Sequence, residues 1–100
     1  MIKVKVKKDS DMIKSISILG HAMYADSGKD IVCSAVSSIV TTTINGILSL
    51  DKESLSYEVS KDGLVIENIK NDKVTQTLLK NMISLLKELE NDYPTNVEVK

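Results

Sequence analysis

The apolar residues of this chain change their period along its length, and that change limits the folds open to it. Ile2, Val4 and Val6 alternate with Lys3, Lys5 and Lys7, and Leu55, Tyr57 and Val59 alternate with Ser54, Ser56, Glu58 and Ser60. Between 30 and 50, and again between 74 and 89, apolar residues return every three or four positions instead. A period of two puts one face of a strand on a core and the other in water, whereas a spacing of three and four makes one face of a helix.

Read in order, Ile2–Lys7 is a strand, Lys8-Asp9-Ser10-Asp11 a turn, and Met12 to Leu19 a second strand with Ile16 and Ile18 on one face, closing a hairpin that stops at Gly20-His21. From Asp30 to about Leu50 the apolar residues Val32, Val36, Val40 and Ile47, and Ile31, Ala35 and Ile39, with Ile44 and Leu48 beside them, predict a mostly buried helix. The β-branched run from Ile39 to Ile44 and the hairpin-like Asn45-Gly46 compete with that reading. The helix is preferred because the spacing continues through Ile47 and Leu48 and the segment exceeds ordinary strand length. Lys61-Asp62-Gly63 joins the strand at 55–60 to Leu64–Ile69 as a hairpin. Asn71 or Asp72 then caps a helix carrying Val74, Leu78, Met82, Leu85, Leu86 and Leu89, which ends before Pro94, and Val97 and Val99 mark a last short strand. The order ββα-ββα-β predicts an α+β two-layer sandwich, with two helices packed on a largely antiparallel sheet.

One hundred residues suit a single small domain, spanning 1–100. Thirteen basic and fourteen acidic side chains leave a formal charge of -1, which argues against wholesale nucleic-acid binding. The amino terminus alternates apolar residues with lysine and is not the continuous apolar run of a signal peptide, and no stretch is expected to reach the roughly 20 apolar residues of a membrane span. A cytoplasmic protein without membrane contact is the expectation. The Lys3-Lys5-Lys7-Lys8 series reads as a solvated strand face, and Tyr24 as a loop anchor.

The only histidine, His21, follows the second strand, and the only cysteine, Cys33, falls in the first turn of the first helix. A helix amino terminus carries partial positive charge and spare N–H groups that favour an anion such as a thiolate. An imidazole nearby can take the thiol proton and later return one to a leaving amine, so the two residue types suit acyl transfer. Asp30 as N-cap would fix the helix start that aims the sulfur, or could orient the imidazole. Packing alone also explains Cys33, which is flanked by Ile31, Val32, Ala35 and Val36. One Cys and one His fall short of the four ligands of a structural zinc site, so no metal and no cofactor are expected.

The string Gly20-His21-Ala22, followed by a loop ending in Gly28-Lys29-Asp30-Ile31-Val32-Cys33 and a serine four residues later at Ser37, resembles the ribosomal-processing cysteine protease family, often called Prp. The resemblance covers the whole chain in length and element order. It implies an endopeptidase that removes a short amino-terminal extension from a large-subunit ribosomal protein, the one numbered twenty-seven, during ribosome maturation. It further implies Cys33 as nucleophile, His21 as base, and Asp30 and Ser37 as supporting residues. A substrate loop involving Gly20, Ala22 and Gly28, and a homodimer, are implied in the same way. Ser34 departs from the family pattern, in which alanine commonly follows the cysteine. Two other readings stay open on the residues alone. One is a non-catalytic ribosome-associated binding module in which Cys33 is core packing. The other is a thiol redox sensor, which would need a partner's thiol because the chain holds no second cysteine.

Overall fold

A computed structural model describes residues 1–20 and 31–100. Its elements run β1 (Ile2–Asp9), β2 (Met12–Gly20), α1 (Ile31–Leu50), β3 (Ser56–Ser60), β4 (Gly63–Glu67), α2 (Lys73–Asp92) and β5 (Val97–Val99). The five strands form one sheet in the order β3-β4-β2-β1-β5, antiparallel throughout except where β5 joins β1. The architecture is the expected α+β sandwich, and the strand alternation explains it directly. Ile2 and Val4 are buried with their β2 neighbours Ile16 and Ile18 and with Ile66 of β4, while Lys3, Lys5 and Lys7 turn to the opposite, open face. A shift of register between Lys7 and Lys8 then pairs Lys8 with the buried Ile13 and ends the simple alternation.

Asn45-Gly46 lies inside α1, not at a hairpin. Burial decides this, because Val32, Val36, Val40, Ile44 and Ile47 face the core only if the chain is helical throughout. The helix is less buried than its sequence predicts. Ser34, Ser37, Ser38, Thr41, Thr42 and Asn45 form an exposed outer face, and Ile31 stands outside the core. The expectation about membrane-length segments also needs correction. Described by its own residues, α1 is 20 residues long with a mean hydropathy of 1.7, long and apolar enough by length and composition to cross a membrane. In this fold its apolar stripe belongs to the same core as the sheet and α2.

At the start of α2 the carboxylate of Asp72 accepts a hydrogen bond from the Thr75 N–H at 2.8 Å, so Asp72 and not Asn71 is the cap. The buried stripe of this helix is Thr75, Gln76, Leu79, Met82, Ile83 and Leu86. Val74 and Leu85, expected to face inward, are exposed. A stripe centred on Leu79 and Ile83 satisfies the three-and-four spacing equally well, and contact with the sheet selects it. Gln76 is buried at the cost of no unmet polar group: its amide accepts from the Ile13 N–H at 2.8 Å and donates to the Ile13 carbonyl at 3.0 Å.

Candidate active site

The first turn of α1 points its Cys33 side chain along the inner edge of the core, partly buried and packed against it. The alternation that buries Val32 and Val36 carries Cys33 to the margin of that stripe, where it enters a cleft of about 380 Å³. Three parts of the fold wall this cleft. The paired ends of β1 and β2 supply Ile2, Ile18 and Gly20, and α1 supplies Cys33, Val36, Ser37 and Val40. The β3–β4 hairpin supplies Val59, Ser60, Gly63 and Leu64. The lining is mostly apolar, joined by Lys61 and by the hydroxyl-bearing residues Ser37, Thr41 and Ser60.

Of the residues singled out by sequence, the fold brings Gly20, Cys33 and Ser37 to this one cleft. Ser37 lies one helical turn beyond Cys33, which explains their shared wall. His21, Ala22, Gly28 and Asp30, like Tyr24, lie outside the described residues. Gly20 leaves β2 with φ +96°, and a side chain there would collide with the Met1 carbonyl oxygen, so the glycine is a requirement of the backbone. Its N–H donates to the Asp62 carbonyl at 2.9 Å, which ties the point where the chain departs toward His21 to the β3–β4 turn.

Val59, Ser60, Gly63 and Leu64 were not singled out by sequence as part of a site. The Asp62-Gly63 turn marks their hairpin, but nothing local tells that β4 docks beside β2 and so brings the hairpin to the cleft that Cys33 lines. The Lys70 ammonium, 2.8 Å away, holds Asp51 below the usual carboxylate range, and hydrogen bonds from Thr75 do the same for Asp72. Both sit past the far end of α1, about 26 Å of helix from Cys33. Among the described residues no three His, Cys, Asp or Glu side chains converge as metal ligands would.

The chain matches the model of the family described as cysteine protease Prp over residues 1–98. It is 28% identical to the ribosomal processing cysteine protease Prp of Bacillus subtilis, across 99% of this chain and 96% of that protein. A crystal structure of an essential ribosomal processing protease Prp from S. aureus, in complex with a covalently linked product peptide, superposes with a TM-score of 0.90 at 25% identity, covering 100% of this chain and 98% of that one. The S. aureus protease in complex with a substrate peptide superposes with a TM-score of 0.86, also at 25% identity and with the same coverage.

Proposed function

The chain belongs to the cysteine protease Prp family, and from that membership we propose that it is a cysteine endopeptidase of ribosome maturation, removing an amino-terminal extension from the large-subunit ribosomal protein numbered twenty-seven. The observation that carries the reading is the placement of the chain's single thiol, on the first turn of a long helix and facing a cleft that opens toward a sheet edge. A protein substrate fits the S. aureus relative, which is crystallised with substrate and product peptides.

Cys33 attacks the scissile carbonyl as a thiolate and forms a thioester with the acyl part of the substrate. His21 accepts the thiol proton and gives it to the departing amine, and water then hydrolyses the thioester to regenerate the thiol. The positive end of α1 favours the negative charge as it passes from sulfur to carbonyl oxygen. Ser37 lines the cleft beside the nucleophile, Asp30 supports the helix start, and Gly20 and Gly28 give the substrate loop that includes Ala22 its backbone freedom. The enzyme acts in the cytoplasm as a homodimer, an assembly supported by an α1 that carries no charged residue on its exposed face.

Incubation of this protein with the extended ribosomal protein, followed by intact-mass spectrometry, tests the proposal. A single cut near the substrate's amino terminus that disappears in Cys33→Ala is the expected result. Undiminished cleavage by Cys33→Ala overturns it, and binding without any cleavage favours the ribosome-associated module instead.

A further inference from the structure

The two edges of the sheet are not alike. At β5 the outward N–H groups are already satisfied: Val97 donates to the Tyr93 carbonyl at 3.1 Å, and Val99 donates to Glu90 Oε2 at 3.1 Å. Among the described residues the opposite edge, β3, pairs only with β4. Which of its residues face outward follows from the bonding alternation carried across the sheet. Ile2 and Val6 donate toward β5 and Val4 accepts from it, so Lys3 and Lys5 bond β2 through Leu19 and Ser17. Ile18 and Ile16 then bond Leu64 and Ile66, which leaves Gly63, Val65 and Glu67 to bond Ser60, Glu58 and Ser56. The backbone groups of Tyr57 and Val59 therefore point away from the sheet, and no described residue bonds them.

The side chains of Tyr57 and Val59 share the helix-side face with Ile66 and Leu64, yet they are 48% and 66% exposed. Neither helix covers them. Val59 and Ser60 also wall the Cys33 cleft. We infer that β3 is the peptide-binding edge: an extended substrate segment adds to the sheet beside Tyr57 and Val59, pairs with their backbone groups, and sets apolar side chains at alternate positions against theirs on the side of the Cys33 cleft. This rests on the reading of the chain as a peptide-cleaving enzyme. Because Val59 and Cys33 line one cleft, the same segment that pairs with β3 reaches the nucleophile. The closed β5 edge cannot serve in this way.

The test uses Cys33→Ala, which holds substrate without turnover, and a synthetic peptide spanning the amino-terminal extension and cut region of the ribosomal protein. Residue-resolved amide exchange should slow at Tyr57 and Val59 when the peptide is added, while Glu58, already bonded within the sheet, keeps its rate. Val59→Pro removes one outward N–H and no ladder bond, and should weaken peptide binding by roughly tenfold. Should that variant not fold, N-methylation along the peptide replaces it, and losses restricted to alternate amides are expected. Unchanged exchange at Tyr57 and Val59, no binding by Cys33→Ala, or N-methyl losses in both frames overturns the inference. So does protection of both amides without peptide that vanishes on dilution, since a second copy then occupies the edge. Edge protection by a peptide that the parent protein fails to cleave leaves this inference standing and removes the protease reading.

Discussion

The Gly20 N–H donates to the Asp62 carbonyl at 2.9 Å, so the last residue of β2 and the turn between β3 and β4 are held as one unit. Gly20 precedes the candidate base His21, and Asp62 follows Ser60 and Lys61, which line the same cleft as Cys33. A displacement at either end moves both. Gly20→Ala brings a Cβ into the Met1 carbonyl at a positive φ, which costs about 1–3 kcal/mol if the backbone holds. The expected result is a lower melting temperature together with a larger fall in cleavage than Gly46→Ala causes. Unchanged cleavage would show that the hairpin does not set the position of the chain beyond Gly20.

Cys33 is partly buried but opens on the cleft, so iodoacetamide should alkylate it in the folded protein. If His21 takes the thiol proton, His21→Ala should slow alkylation at neutral pH and abolish cleavage while circular dichroism stays unchanged. Equal alkylation rates in parent and His21→Ala would remove the histidine from the proposed pair. Alkylation that requires denaturant would place Cys33 among packing residues.

Gln76 reaches across 63 positions to satisfy both the N–H and the carbonyl of Ile13, which no helix neighbour could do. Gln76→Ala leaves these two buried groups without partners, at about 1–3 kcal/mol each. Thermal or urea unfolding should show a loss of that order for the pair. Gln76→Glu keeps the acceptor and lacks the donor, so it should fall between parent and alanine variant most nearly at acid pH, where its carboxyl can be protonated.

Gly46 lies in mid-helix, and a Cβ built on it meets nothing within 4 Å. Gly46→Ala should therefore stabilise the chain by about 0.5–1 kcal/mol, through the smaller entropy of the unfolded backbone. A raised melting temperature checks this. A lowered one would indicate that another chain approaches α1 at Gly46.

Asp72 and Asp51 are held below the ordinary carboxylate range, by Thr75 and Lys70 respectively. A group whose folded value is depressed contributes its stability in full above the unfolded carboxylate range and loses it as pH falls through the folded value. The melting temperature should thus decline on acidification. Asp72→Asn keeps a side-chain acceptor for the Thr75 N–H but does not titrate, so its curve should be flatter in acid and close to the parent at neutral pH. Identical acid slopes would show that Asp72 plays no part in the decline.

Periodicity made the elements legible. The lysines at 3, 5 and 7, the stripe from Val32 to Ile47, the Asp62-Gly63 turn and the cap before Lys73 are local signals, each read from residues a few positions apart. The Gly20-His21-Ala22 and Asp30-Ile31-Val32-Cys33 strings supplied the family resemblance in the same local way. Tertiary structure decided the rest. Whether Val74 or Leu79 faces inward depends on where α2 meets the sheet, since both fit a helical spacing. That Val59 shares a cleft with Cys33 depends on β4 pairing with β2, and the closing of one sheet edge by Glu90, while no described residue pairs with the other, depends on where α2 lies beside β5. Local pattern records which face of an element seeks the core. It does not record which distant element supplies that core, because that choice is made by packing and pairing between segments far apart in the chain.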